Sequence, residues 1–349
     1  MLPFKQLTEE PEVTGDRVED EVRAALTAAE DADASPVERA EMLMEIAMGL
    51  QQRPKTVGHI AAAIALYDRA LGLCPEDERL LQARVTARKG TALLIMPEEG
   101  AEAQKAARAA FEAAIPIFTA FGRPEELAEA EMNLGLAIQN LAGRHKARIT
   151  DAVSAYQRAL RTFDKIRFPK EFAILQNNLA TAFLSMPFTD QRAKMREALA
   201  VQAFEEGLKI VSLIDHPAEY AMLQNNLGNA LQYASSSHAV DNNLRAIEAY
   251  DEALKVRTRE AMPLEYANTI SNKANCLWNL PDDPENPSFG NRANLMLARD
   301  YYRESGGIFS RAGDAEKARV VAEACGEIER ELMVLSPANG FDNHARTSQ

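Results

Sequence analysis

Cysteine is scarce in this chain, and its three copies, Cys74, Cys276 and Cys325, stand far apart with no CxxC among them. That excludes a disulfide framework and a zinc site built on paired thiolates, and it points to a reducing cytoplasm. Aromatic residues make up 6% of the 349 positions, and runs of alternating β-branched residues are missing, so no sheet is expected. No apolar run approaches the ~20 residues of a membrane span, and Met1 to Gln6 has no apolar signal core. The reading is of a protein neither exported by the usual signal nor embedded in a membrane. Basic charge is also short. The net charge of −13 leaves no surplus of cations to gather phosphates, so nucleic acid is not an expected partner.

The signatures of chemistry are missing as well. His59, His145, His216, His238 and His344 are scattered, with no HExxH pairing, and Ser305-Gly306-Gly307 belongs to neither a GxGxxG nor a GxxxxGK[ST] loop. GxSxG does not occur. No catalytic residue, cofactor or metal is expected, and the chain is not read as an enzyme. The densest basic stretch, from Arg144 to Lys170, alternates with Asp151 and Asp164 and reads as one solvated helix pair.

Alanine, leucine and glutamate dominate what remains, and all three favour helix. Within this helical background a motif Ala-x3-[Tyr/Phe]-x2-[small] recurs, with its aromatic at Tyr67, Phe111, Tyr156, Phe204, Tyr250 and Tyr302. The intervals are 44, 45, 48, 46 and 52 residues, which is the mark of a repeat architecture. A second motif precedes four of the copies: Met132-Asn133-Leu134-Gly135, Asn177-Asn178-Leu179-Ala180, Asn225-Asn226-Leu227-Gly228 and Ser271-Asn272-Lys273-Ala274. Each unit is therefore a pair of helices, with small residues where the two approach and an aromatic filling the space beside them. Pro124, Pro169, Pro217 and Pro263, each followed two residues on by a glutamate, mark helix starts, because proline fits the first helical turn and acid complements the helix N-terminus.

Leu-Gly in a first helix followed by Ala-x3-Tyr-x2-Ala-Leu in a second resembles the tetratricopeptide repeat over roughly residues 36 to 311. The units are longer than that family's consensus of about 34 residues. They look like the long-repeat type of bacterial proteins with Asn-Asn-Leu-Gly units. The resemblance implies an all-α solenoid of about six helix hairpins with capping helices at both ends. The expected organisation is a leading segment over 1–35, the repeat array over 36–311, a closing helix within 312–335 and a disordered polar tail over 336–349.

Such arrays line a concave wall with the first helix of each pair. With Leu227 facing the core and a turn of about 100° per residue, Asn225, Asn229 and Gln232 fall near the opposite pole. The same placement exposes Asn177 and Thr181 one repeat earlier, and Asn268, Ser271, Asn275, Trp278 and Asn279 one repeat later. Asn178, Asn226 and Asn272 lie on the flank, where they either meet a ligand or bond neighbouring helices. An amide both donates and accepts, so a ladder of asparagines suits the backbone of a bound polypeptide. The expected partner-binding set is Asn177, Asn178, Asn225, Asn226, Asn229, Tyr233, Asn268, Asn272, Asn275 and Trp278. Trp278 either anchors an apolar partner side chain or packs on the closing helices. The stretch Leu280 to Gly290, with three prolines, is expected to project as a solvated loop.

The functional expectation is an adaptor that holds a protein or peptide segment in its groove. The alternatives are a permanent or self-assembling subunit of a larger complex, with homo-oligomers among them, and a small-molecule sensor, which would need a closed apolar pocket.

Overall fold

The computed structural model describes residues 20, 22–24, 26–27, 34–52, 54, 56–97, 100–187, 191–234 and 238–335. Every regular element among them is helical. In chain order the α-helices are α1 (Pro36–Gln52), α2 (Val57–Leu73), α3 (Arg79–Ile95), α4 (Glu102–Phe121), α5 (Pro124–Gly143), α6 (Ile149–Ala159) and α7 (Pro169–Leu184). They continue with α8 (Gln191–Leu208), α9 (Pro217–Gln232), α10 (Ala239–Leu254), α11 (Pro263–Trp278), α12 (Arg292–Arg311) and α13 (Ala315–Val334). The chain divides into two compact units, Met1–Asp164 and Lys165–Gln349.

The first unit stacks the hairpins α1/α2, α3/α4 and α5/α6, and α3 packs beside both α1 and α5. The second stacks α7/α8, α9/α10 and α11/α12, with α9 beside both α7 and α11, and α13 closes on α12. Each unit is a short α-solenoid of tetratricopeptide-like hairpins. Of the leading helix expected before α1, Val22 and Leu26 are described, and both pack on the first core cluster. The tail from Ser336 lies outside the described residues. No helix among the described residues is long and apolar enough to cross a membrane.

Prolines 124, 169, 217 and 263 each open a helix. At Arg123 the backbone N–H donates to Glu126 Oε2 at 2.9 Å, closing a capping box. All six motif aromatics are buried, five of them without measurable exposure and Tyr302 at 6%. They press on the small residues of the first helices so closely that a Cβ on Gly228 would lie 2.6 Å from Tyr250 Cε1, and one on Gly90 2.9 Å from Phe111 Cζ. A Cβ at either position would force the ring to shift, which favours glycine there.

Three second helices end soon after the small residue of their motif: α6 stops at Ala159, α8 at Leu208 and α10 at Leu254. After α6 the chain tightens, Arg161 N–H bonding the Arg158 carbonyl, and turns Phe163 inward to 5% exposure. Val211 does the same after α8, at 3%. Burying this residue outweighs another turn of helix.

Candidate partner-binding face

Three first helices of the second unit carry stripes spaced i, i+4, i+7, i+11, which fall on one side of a helix. They are Ile174/Asn178/Thr181/Ser185 on α7, Met222/Asn226/Asn229/Tyr233 on α9 and Asn268/Asn272/Asn275/Asn279 on α11. None of these residues is charged or fully buried, and exposure rises toward the helix C-termini, where Tyr233 is 70% exposed. Its hydroxyl accepts a 3.0 Å hydrogen bond from Asn275 Nδ2, and Asn279 Nδ2 donates to the Asn275 carbonyl at 2.8 Å. Asn268 and Asn272 are half-buried and make no side-chain hydrogen bond among the described residues.

Two residues expected on this wall are not on it. Asn177 is 8% exposed and Asn225 7%. Both belong to a polar ladder threaded between neighbouring first helices. Asn177 Nδ2 donates to Asn178 Oδ1 at 3.3 Å, Asn226 Nδ2 to Asn177 Oδ1 at 2.7 Å and Asn225 Nδ2 to Asn226 Oδ1 at 3.0 Å. Thr269 Oγ1, 3.1 Å from Asn225 Oδ1, carries the ladder into α11. Arg257 Nη1 donates to Thr269 Oγ1 at 3.1 Å, where the ladder ends.

The correction has a geometric cause. A helical projection that knows one core face places its opposite pole in solvent, but a first helix inside a stack touches another first helix on each side. Asn225 faces α11 and Asn177 faces α9. Asn178 and Asn226 stand half-buried on the flank, bonded within the ladder. Asn229 keeps its wall position while its Oδ1 accepts from the buried Tyr250 hydroxyl at 2.7 Å.

Trp278 takes the packing alternative: it joins the last core cluster, and its Nε1 donates to Glu331 Oε1 on α13 at 3.0 Å. The Leu280–Gly290 loop is solvated, with residues 284–290 exposed, and it is anchored at its base. Asp282 Oδ2 and Oδ1 accept from the Ala293 and Asn294 backbone N–H groups, both at 2.8 Å, so the loop caps α12. Of the basic stretch, Arg158 grips the buried Glu131 with Nε and Nη2 at 2.7 and 2.6 Å, which raises the guanidinium's proton affinity further.

The same stripes in the first unit include charged residues. On α3 they read Arg84/Arg88/Thr91/Ile95, and on α5 Glu129/Asn133/Leu136/Asn140. Arg84 Nε reaches Glu126 Oε1 at 2.7 Å and Arg88 Nη1 reaches Glu129 Oε1 at 2.9 Å. Beneath these pairs lies a cavity of about 40 Å³, with Phe111, Phe118 and Ala130 in its lining. Ion pairs thus link α3 to α5, where amides link α7, α9 and α11.

No protein-family model and no curated protein matches the chain. Among solved structures it is similar to BtubC (BKLC) from P. vanneervenii, at 18% identity over 95% of this chain and 96% of that one, with a TM-score of 0.40. It is also similar to a Rap protein complexed with Competence and Sporulation Factor, at 14% identity over 94% of this chain and 89% of that one, with a TM-score of 0.43.

Proposed function

We propose that the protein is an adaptor whose second unit holds a segment of another polypeptide along the face formed by α7, α9 and α11. The observation that carries this reading is that the three in-register stripes are free of charge, although 26% of the chain is charged. A solvated surface with no task would carry its share of lysine and glutamate. Half-buried amides with unused donors and acceptors, at Asn268 and Asn272, suit the N–H and C=O groups of a bound main chain. Tyr233 supplies a rigid amphipathic ring at the open end, a residue type enriched where interfaces concentrate their energy. In this reading the Asn-Asn-Leu units at 177–179 and 225–227 mark the long-repeat bacterial type. The free thiols of Cys74, Cys276 and Cys325 support work in the cytoplasm, and the chain needs no chemistry of its own.

The test is capture of partners by the full chain, compared among wild type, Tyr233→Ala/Asn275→Ala, and Arg88→Ala on the charged wall of the first unit. Mass spectrometry should show the partner set lost from the first variant and kept by the second. An unchanged set in Tyr233→Ala/Asn275→Ala sinks the reading.

A further inference from the structure

Seven residues after each motif aromatic, the chain places Cys74, Phe118, Phe163, Val211, Arg257 and Phe309. Five of these six are apolar and at most 9% exposed. Arg257 alone puts a cation in the slot. It is half-buried, and burial pulls its guanidinium below the usual arginine range while the charge of Glu265 opposes that shift. Glu265 is beyond ion-pair distance, and among the described residues the only hydrogen bond of the Arg257 side chain is the one from Nη1 to Thr269 Oγ1. A guanidinium offers five N–H donors in a planar fork. Here one is used.

The first unit shows where this slot lies. Phe118 lines the cavity between α3 and α5, with Thr91 and Asn133. In repeat register those two residues correspond to Asn229 and Asn272, which puts the counterpart of this slot, and Arg257 with it, between α9 and α11. Its bond to Thr269, itself bonded to Asn225, agrees with that placement. A guanidinium with free donors, whose one interacting carboxylate, Glu265, stays beyond ion-pair distance, is matched by a partner's anion, and a planar fork with free donors matches a carboxylate.

We propose that Arg257 takes the side-chain carboxylate of a glutamate or aspartate carried by the segment bound on this wall. The inference rests on the adaptor reading and adds the chemistry of its ligand. Arginine is needed here because its planar fork binds a carboxylate through two parallel N–H groups, which lysine cannot do.

The probe is the pentapeptide acetyl-Ala-Ala-Glu-Ala-Ala-amide at millimolar concentration, with its Gln counterpart and inorganic phosphate as controls. The full chain is followed through the Arg257 Nε–Hε resonance, assigned by its loss in Arg257→Leu. The Glu peptide should shift that resonance and the Gln peptide should not. Arg257→Leu, which returns the slot to its apolar form, should melt no lower than wild type yet bind the Glu peptide at least about tenfold more weakly. Arg257→Gln, which keeps a polar group there, should bind it as weakly. Equal responses to the two peptides, or unchanged binding in both variants, overturn the proposal. A shift with phosphate and none with the Glu peptide overturns it in favour of a phosphoryl site. Partner capture separates the two failures. If Arg257→Leu keeps partners that Tyr233→Ala/Asn275→Ala loses, the adaptor reading stands and this inference falls.

Discussion

The Tyr156 hydroxyl, sealed inside the hairpin of α5 and α6, donates a 2.8 Å hydrogen bond to Gln139 Oε1. The pairing repeats: Tyr67 bonds Gln51 at 2.8 Å, and the Tyr250 hydroxyl lies 3.0 Å from Gln232 Oε1, sharing its proton with the nearer Asn229 Oδ1. Where the motif aromatic is Phe111 or Phe204, the corresponding place on the first helix holds Leu94 or Leu184. A buried hydroxyl needs an acceptor, and a buried ring without one does better against a hydrocarbon.

Gln139→Leu alone strands the Tyr156 hydroxyl, and should cost about 1–3 kcal/mol in urea melts. Adding Tyr156→Phe rebuilds the Phe111/Leu94 combination and should recover most of that loss. A double-mutant cycle measures the coupling. Additive single effects would mean that the pair is incidental.

Much of the fold was legible because packing in a stack repeats. The six aromatics, the small residues opposite them and the helix-opening prolines recur at intervals of 44 to 52 residues, so the order of the hairpins and the starts of the proline-led helices could be read from the chain. What stayed hidden came from sides of a helix that one hairpin does not define. The burial of Asn177 and Asn225 depends on the next first helix. Arg257 was legible in principle, since it breaks an apolar column seven residues after the aromatics, but that column becomes visible only once Phe163 and Val211 are seen to turn inward. The bond from Trp278 to Glu331 joins positions 53 residues apart, with no local signal to mark it.

Glycines divide by what stands above them. A Cβ on Gly228 would lie 2.6 Å from Tyr250 Cε1, whereas one on Gly49 meets nothing within 4 Å. Gly228→Ala should therefore destabilise by about 1–3 kcal/mol through overpacking. Gly49→Ala, inside α1, should stabilise by up to about 1 kcal/mol, the usual helix-propensity difference. Thermal melts of the two variants should move in opposite directions, and a shared direction would mean that the ring at Tyr250 yields freely.

His145 is the one non-glycine with positive φ among the described residues, at 57°. It follows α5, where Lys146 N–H closes back on the Leu141 carbonyl at 2.8 Å. Gly313, φ 77°, fills the same role after α12, with Asp314 N–H on the Phe309 carbonyl at 3.0 Å. The left-handed conformation costs an L-residue roughly 1–2 kcal/mol, part of which returns as the greater chain entropy of unfolded glycine. His145→Gly should raise stability by up to about 1 kcal/mol. No gain in the denaturation midpoint would show that the imidazole makes a contact worth as much as the strain.

Acid should loosen the link between α3 and α5 before that between α9 and α11. Burial pushes the Glu126 carboxyl up, but the hydrogen bonds it accepts from the Arg84 guanidinium and the Arg123 backbone, with the charges of both arginines, outweigh burial and hold it below the usual glutamate range. A carboxyl depressed in the folded state stabilises at pH above its unfolded value, and that contribution disappears as pH falls through the folded one. Between α9 and α11 the side-chain contacts include the Asn225–Thr269 and Asn275–Tyr233 bonds, and neither has a proton to gain as the pH falls. Hydrogen exchange followed by mass spectrometry along a series descending from pH 4.5 should show α3 and α5 losing protection while α9 and α11 keep theirs. Arg84→Gln should abolish most of the difference by removing the charge that depresses Glu126. Simultaneous loss of protection in all four helices, or loss in α9 and α11 first, would show that the Arg84–Glu126 pair does not set the acid stability of the first unit.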